Sequence, residues 1–259
     1  MRRFAVLAAI ALIGVACTPD DAATTTSATA ADVSTTALAS TTTTAPDGLG
    51  GSLTIATSGP IGSLNPFSPD AGLSRLAGNA VWATVYDIEP TTWDRIPDAV
   101  SGLPSDLGAI EINDDGSMTV RYEVRTGAMW SDGVPITGED LVFTAETMRD
   151  LAISGVGGVD PIMSTVIAAD GVEDLAFITF AEPNLAFEDA LWIILPSHIL
   201  DGVDIITSDG ALWPSGGPFV VDEIEEQNGQ IARVAFARNE SYGRSDDEGR
   251  SLPLSLIHI

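Results

Sequence analysis

The sequence predicts an α/β lobe in which a mixed sheet has flanking helices, and three observations predict it. Hydrophobic residues make up 45% of the 259-residue chain, which is enough for a sizeable core. Segments with strand alternation and segments with helical spacing are mixed along residues 51–250. The sequence contains no βαβ rhythm and no internal repeat, so the pattern supports an α/β or α+β lobe and excludes a solenoid.

The predicted elements follow one another as strand, helix, hairpin, helix, strand, helix and hairpin. Strands are predicted over residues 52–57, 109–113, 118–124, 176–180, 219–224 and 231–238, and helices over residues 73–86, 137–150 and 185–194. Asp115-Gly116 and Asn228-Gly229 mark the two hairpin turns. The second helix has the clearest signals, because Glu139 and Asp140 favour its positive N-terminal end.

The N-terminus has the pattern of an export signal. Met1-Arg2-Arg3 supplies two positive charges, and the apolar run over residues 4–15 is too short to span a bilayer comfortably. Cys17, the only cysteine, follows directly in a stretch that resembles a bacterial lipobox, where cleavage leaves cysteine as the first mature residue for lipid attachment. We expect residues 1–17 to be a lipoprotein signal peptide and Cys17 to be lipidated. The alternative is an ordinary secreted protein with a chance cysteine.

Two further segments lie outside the predicted lobe. Residues 18–50 are nearly all Thr, Ala, Ser and Asp, a composition that cannot bury enough apolar surface to order itself. We expect a flexible tether; the alternative is a disordered N-terminus without a role. Residues 254–259 match the conceptual translation of a sequencing adapter, so we expect a non-native tail and an incomplete lobe over residues 51–250. An ordinary apolar strand is the alternative for that tail.

Charge excludes one class of partner. The net charge of −26 comes from 37 acidic and 11 basic side chains, and such a field repels nucleic acid phosphates. Nucleic acid binding is therefore not expected. The acidic residues are scattered, which is typical of a surface that keeps a protein soluble, although an acidic surface also attracts cationic ligands.

The residues that carry catalytic or metal chemistry are few. His198 is the only histidine outside the suspected tail, and no Gly-x-Ser-x-Gly nucleophile motif accompanies it. We interpret it as a structural histidine, although the sequence does not exclude a Ser-His-Asp triad. Asp114-Asp115 and Asp246-Asp247-Glu248 fall in turns or polar loops, where solvation is the expected role. No catalytic residue, metal or cofactor is expected.

Residues 129–143 contain the most informative stretch. A tryptophan, an Asp-Gly turn, a proline and an acidic helix start follow one another from Trp130 to Asp140, which indicates a stiff strand-turn-helix joint. This block resembles a signature of the family 5 extracytoplasmic solute-binding proteins, the peptide and nickel receptors of ABC importers. Residues 51–66, 215–220 and 236–242 resemble other stretches of that family in the same order, and Val85-Tyr86-Asp87 is similar to the end of the helix that follows the family's first strand.

The resemblance implies a type II periplasmic-binding-protein-like fold and a receptor whose two lobes close over a ligand. It implies capture of peptides or similar small solutes outside the cytoplasm, delivery to an ABC permease, and a lipid anchor that holds the receptor at the cell membrane. It does not decide between a peptide, a nickel complex, haem or a sugar as ligand. An exported surface hydrolase and an adhesion module on a Thr-rich stalk are the alternatives.

Candidate ligand-binding residues lie where loops leave the predicted strands. They are Ser58, Gly59, Leu64, Asn65, Trp213, Ser215, Gly216, Gly217 and Phe219. Glycines there let a ligand backbone approach closely, and aromatic rings offer flat apolar walls. The alternative for Trp213 and Phe219 is a place in the core, to which we also assign Trp82 and Trp130.

Overall fold

The computed structural model describes residues 53–59, 61–68, 71–89, 91–228, 230–246 and 248–253. The predicted signal peptide with Cys17, the tether at residues 18–50 and the tail at residues 254–259 lie outside these ranges. Within them, no helix combines the length and the apolar character needed to cross a membrane.

Helices and strands alternate irregularly along the described residues. The order is α1 Ala71–Gly78, β1 Ala83–Thr84, β2 Tyr86–Ile88, β3 Arg95–Pro97, β4 Ile110–Ile112, β5 Met118–Glu123, α2 Gly138–Ile153, β6 Val166–Val172, β7 Leu175–Phe180, α3 Phe187–Ala190, β8 Ile193–Ile194, α4 Ser197–Leu200, β9 Phe219–Gln227 and β10 Gln230–Arg238. All strand pairs among the described residues are antiparallel.

The largest sheet has four strands in the order β4-β5-β7-β6. Strand β5 alternates strictly between buried and half-buried residues, so Val120 and Tyr122 lie on one face, where Val120 is opposite Ile178 of β7. Helix α2 packs on β6 and β7 and contributes fully buried Leu141 and Met148 to the core. The main core therefore lies between this sheet and α2, as period-two strands beside an amphipathic helix require.

A second part of the core surrounds the short pair of β1 and β8. Ala83 is opposite Ile194, and the Val85 amide donates to the Trp192 carbonyl at 3.0 Å. Ala83, Ile193 and Ile194 are at most 1% exposed, and Thr84 is half-buried. A segment distant in sequence thus closes the core beside the joint between Trp130 and α2.

A buried carboxylate fastens the segment after β10 to the lobe. Asp98, 4% exposed, accepts hydrogen bonds from the Tyr242 hydroxyl at 2.8 Å and from the Arg244 guanidinium at 3.0 Å. Burial, and then the neighbouring Asp98 charge, raise the pKa of Tyr242, so its hydroxyl stays protonated and keeps donating. Arg125 adds a hydrogen bond to the Tyr242 carbonyl.

Several predicted elements are confirmed. The hairpin around Asp115-Gly116 is β4 and β5, the helix predicted over residues 137–150 is α2, and the strand predicted over residues 176–180 is β7. The hairpin at Asn228 is longer than predicted and contains two register shifts along β10. In each case the turn or cap signal lies within the segment that folds.

Three predictions are wrong in part. The helix predicted over residues 73–86 ends at Gly78, because the Trp82 ring lies against that glycine and the chain then enters β1. The helix predicted over residues 185–194 is a single turn followed by β8. Residues 53–57 form no strand and are exposed, and no described strand pairs with them.

Candidate functional site

A cavity of about 110 Å³ lies between the β1–β8 pair, the start of β9 and the turn after Trp130. Its lining consists of Val81, Trp82, Ala83, Trp130, Ser131, Ile193, Ile194, Pro196, Gly210, Ala211, Trp213, Pro214, Ser215, Val220 and Val221. None of these side chains carries a charge. The net charge of the chain is −26, yet the cavity lining contains no acidic residue.

Asp140 holds the Trp130 wall of the cavity in place. This carboxylate is 2% exposed, and one of its oxygens accepts from the Thr137 amide at 3.0 Å and from the Trp130 indole at 3.3 Å. Its other oxygen accepts from the Ser197 amide at 2.9 Å and from the Ser197 hydroxyl at 2.6 Å. Four donors around one acidic group join the turn, the start of α2 and α4, which explains why an aspartate occupies a buried position.

Two serines fasten the opposite wall. The Ser131 amide donates to the Ser215 carbonyl at 2.7 Å, and the Ser215 amide donates to the Ser131 hydroxyl oxygen at 2.9 Å. The Ser215 hydroxyl donates to the Val81 carbonyl at 2.7 Å. The segment from Trp213 to Ser215 is therefore fixed against both the turn and the start of β1.

Asn65 performs a similar task beneath the cavity. Its side-chain amide donates to the carbonyls of Ile205 at 2.6 Å and Ser208 at 3.0 Å, and its side-chain oxygen accepts from the Phe67 amide at 2.9 Å. The backbone of Gly210 lies so close that an added Cβ would be 2.5 Å from the Asn65 nitrogen. These contacts join two loops that are about 140 residues apart.

Gly216 and Gly217 allow the chain to pass close to β1. A Cβ on Gly216 would lie 2.5 Å from the Ala83 Cβ, and one on Gly217 would lie 2.8 Å from the Trp82 carbonyl oxygen. Both glycines thus have a structural role in backbone packing, since any side chain would push the segment away from β1.

The structure separates the nine predicted ligand-binding residues into three groups. Trp213 and Ser215 line the cavity. Leu64, Asn65, Gly216, Gly217 and Phe219 are buried behind it. Ser58 is exposed and Gly59 half-buried in the segment before Ile61, and neither lines the cavity.

Sequence reasoning missed most of the lining. Trp82 and Trp130 were assigned to the core, where the structure does bury them to 5% and 1% exposure, but both also face the cavity. Ser131 was not selected, although it stands inside the informative stretch at residues 129–143. Its position directly after a buried tryptophan and before an Asp-Gly turn was the available signal.

Most polar side chains of the cavity lining form hydrogen bonds with other groups of the protein. The Trp82 indole N–H donates to the Leu64 carbonyl at 2.9 Å, and the Trp130 indole donates to Asp140. Ser215 is also bonded internally. In the described part of the chain, two side-chain donors of the lining have no acceptor, the indole N–H of Trp213 and the hydroxyl hydrogen of Ser131. The cavity therefore offers apolar walls and two donors.

His198 contacts a carboxylate that the sequence did not indicate. Its Nε2 lies 2.8 Å from the Asp132 carboxylate, across 66 residues, and its ring is 6.2 Å from that of Trp130. Partial burial alone would raise the pKa of Asp132, but hydrogen bonds from His198 and the Val134 amide outweigh it, and the net pKa is below the usual range. Among the described residues no serine hydroxyl is hydrogen-bonded to His198, so the geometry is that of a surface pair beside the cavity.

The described residues also bear on metal chemistry. They contain no group of three or more His, Cys, Asp or Glu side chains arranged to hold a metal ion. A second, more open depression beside His198 has Glu139, Glu146 and Asp201 on its walls.

Known proteins resemble the chain in both sequence and fold. No family model matches it. The probable monoacyl phosphatidylinositol tetramannoside-binding protein LpqW of Mycobacterium tuberculosis is 30% identical over 146 residues, which are 54% of this chain and 22% of LpqW. The probable peptide-binding protein YejA of Agrobacterium fabrum is 29% identical over 210 residues, 76% of this chain and 30% of YejA. The chain thus spans less than a third of the length of these curated relatives.

Solved structures share the fold. The periplasmic EDTA-binding protein EppA superposes with a TM-score of 0.62 at 21% identity, covering 80% of this chain and 38% of EppA. The ABC transporter substrate-binding protein CtaP of Listeria monocytogenes superposes with a TM-score of 0.58 at 22% identity, covering 80% of this chain and 39% of CtaP.

The solved structures show which fold class the chain belongs to. The chain has the fold of part of a type II periplasmic binding protein, with mixed helices and sheets. LpqW and YejA are named as binding proteins, and EppA as a periplasmic binding protein. The chain's relatives and structural neighbours are family 5 solute-binding proteins, the family that the stretches around Trp130, Ser215 and Phe236 resemble.

Proposed function

We propose that this protein is an extracytoplasmic receptor that captures peptides or similar small solutes and delivers them to an ABC permease. Residues 51–250 form its first lobe, and the ligand is enclosed when a second lobe closes over it. The observation that carries the proposal is the uncharged cavity beside Trp130 and Trp213, to which the family-like stretch at residues 129–143 contributes Trp130 and Ser131. A small concave apolar site with a few placed donors is the form that a small-molecule site takes.

Two features of the relatives support the remaining parts of the proposal. YejA is named a peptide-binding protein and CtaP an ABC transporter substrate-binding protein, which supports a peptide ligand and a permease partner. Because the chain spans 30% of YejA, there is room in such a protein for an opposing lobe. Closure of two lobes then supplies the walls that a cavity of about 110 Å³ lacks on its open side.

Ligand capture is tested by calorimetric titration of the complete protein encoded at this locus. The ligands are mixtures of peptides two to eight residues long, with an oligomannoside and nickel–histidine as separate arms. We expect saturable binding in the peptide arm, and a weaker affinity when Trp213 is replaced by alanine. Leu212→Ala is the matched control, since this neighbour is 80% exposed and does not line the cavity. Binding in no arm would overturn the proposed function.

The proposal includes a lipid anchor at Cys17. This cysteine follows a short apolar run, and a receptor that serves a membrane importer gains from being held beside it. The test expresses the protein and its Cys17→Ala variant in a bacterium fed a labelled fatty acid, and then separates membrane and soluble fractions. We expect label and membrane association in the unaltered protein alone. Equal labelling of both proteins would overturn the anchor.

A further inference from the structure

We infer that the cavity beside Trp213 is a selective subsite for one small aliphatic side chain of a peptide ligand. The inference rests on the proposed function and narrows its ligand class. It follows from four properties of the cavity, namely its charge, its size, its remaining donors and its rigidity.

Charge excludes ionised side chains. No lining residue is charged, and Asp140, which accepts from the Trp130 indole, is engaged by four hydrogen bonds within the protein. A lysine, arginine or carboxylate placed in this cavity would lose its hydration without gaining a counter-charge. Burying an uncompensated charge is far more costly than burying a neutral group.

Size excludes rings. The cavity holds about 110 Å³, whereas a dry cavity of about 150 Å³ is the size known to accept benzene. At about 30 Å³ for each water-sized group, roughly four such groups fit. That is the size of a valine, leucine or isoleucine side chain, whereas a phenyl ring, a pyranose or a haem is larger than the volume that these walls enclose.

The remaining donors fit a peptide backbone at the cavity mouth. Trp213 is half-buried, and in the described residues its indole N–H has no acceptor, while the Ser131 hydroxyl has a hydrogen left to donate. The indole groups of Trp82 and Trp130 are already bonded inside the protein. A ligand carbonyl that accepts from Trp213 would place the adjoining side chain beside the apolar walls.

Rigidity turns these properties into selectivity. The walls are fixed by the Ser131–Ser215 pair of hydrogen bonds, by the Asp140 contacts and by the close approach of Gly216 to Ala83. A wall that cannot move does not expand for a larger group, so a ring meets a steric barrier and a missing methyl group leaves a void. One methylene more or less in such a pocket changes affinity by about 10-fold to 200-fold.

The experiment uses the complete protein and a series of otherwise identical peptides. Each position in turn carries alanine, valine, leucine, phenylalanine or lysine, and each Kd is measured by calorimetry. We expect one position at which valine or leucine binds at least about tenfold more tightly than alanine, phenylalanine and lysine. Equal affinities at every position would overturn the inference and leave peptide capture standing, whereas no binding by any peptide would overturn the proposed function itself.

A variant that fills the cavity tests whether the peptide position with the valine or leucine preference binds at this cavity. Ala211 lines the cavity and is half-buried, so Ala211→Leu adds three carbons to a space with room for about four. We expect the valine or leucine preference to disappear in this variant. Leu212→Ala, next in sequence and outside the lining, should keep the preference. A preference that survives in Ala211→Leu would place the subsite elsewhere and overturn the inference.

Discussion

Replacing Asp140 by asparagine tests whether a buried carboxylate organises the site. The substitution keeps the volume and removes the charge, so it changes little except the hydrogen bonding. In the folded protein both oxygens are in use, one for Thr137 and Trp130 and the other for Ser197. Asparagine has one oxygen and one NH2 group, so in either orientation a donor group faces donors.

The expected loss in the free energy of unfolding follows from the number of hydrogen bonds that are lost or weakened. If the NH2 group faces Thr137 and Trp130, two donors lose their acceptor. If the NH2 group faces Ser197, the Ser197 backbone amide loses its acceptor, whereas the Ser197 hydroxyl can rotate and accept from the NH2 group. The hydrogen bonds of Thr137 and Trp130 then go to a neutral oxygen. Hydrogen bonds to a charged group contribute about 1.5–3 kcal/mol each, so we expect the free energy of unfolding to fall by about 3 kcal/mol.

The measurement is chemical and thermal unfolding followed by tryptophan fluorescence. For a domain of this size, about 3 kcal/mol corresponds to a fall of about 6–12 °C in melting temperature. Glu139→Gln is the matched control, because this neighbour in the same helical turn is exposed, and we expect a change within about 0.5 kcal/mol. A loss below about 1 kcal/mol for Asp140→Asn, with an unchanged denaturant slope, would refute the reasoning.

Three further predictions address packing, polar satisfaction and pH. Gly210→Ala places a Cβ 2.5 Å from the backbone of Asn65, so we expect a loss of about 1–3 kcal/mol in unfolding measurements, whereas Gly157→Ala, with open space around it, should be neutral. Tyr122→Phe removes a buried hydroxyl that has no hydrogen-bond partner, so stability should stay equal or rise, and a loss above about 1 kcal/mol would contradict this. The depressed pKa of Asp132 gives stability that is present above the ordinary Asp pKa of about 3.9 and is lost as pH falls through its lower folded value. Because the pair is exposed, we expect Asp132→Asn to flatten the acid branch of the stability curve by less than about 1 kcal/mol, and an unchanged branch would contradict the assignment.

The sequence predicted the elements that have local signals and missed those fixed by distant partners. Helix α2 carries its acidic start within its own first turn, and each hairpin has a turn dipeptide. Strands β1 and β8 have no such signal, because a short buried apolar run fits a helix and a strand equally well. Their pairing joins residues about 110 positions apart, and no local pattern reports it.

The candidate site was predictable to the same extent. The place of Trp213 and Ser215 in a loop predicts them as ligand-binding residues; both line the cavity, and their contact with a ligand stays a prediction. Trp82 and Trp130 were assigned to the core because a buried tryptophan is normally a packing residue. A sequence pattern predicts that a tryptophan is buried. It does not show whether the space next to the ring is filled by another side chain, as in the core, or is empty, as at a cavity wall. The pairing of His198 with Asp132 was out of reach for the same reason as β1 and β8.

The polar residues and the apolar residues of the site have separate tasks. Asp140, Ser215 and Asn65 direct nearly all their polar atoms into the protein, where they fix loops that would otherwise move independently. A ligand group entering the cavity therefore meets Trp82 and Trp130 and not the side chains of Asp140 and Asn65. Because these side chains lose their conformational entropy when the protein folds, binding of a ligand orders them little further. A cavity that is neutral and already ordered owes its selectivity to shape, so the net charge of the chain cannot select among ligands there.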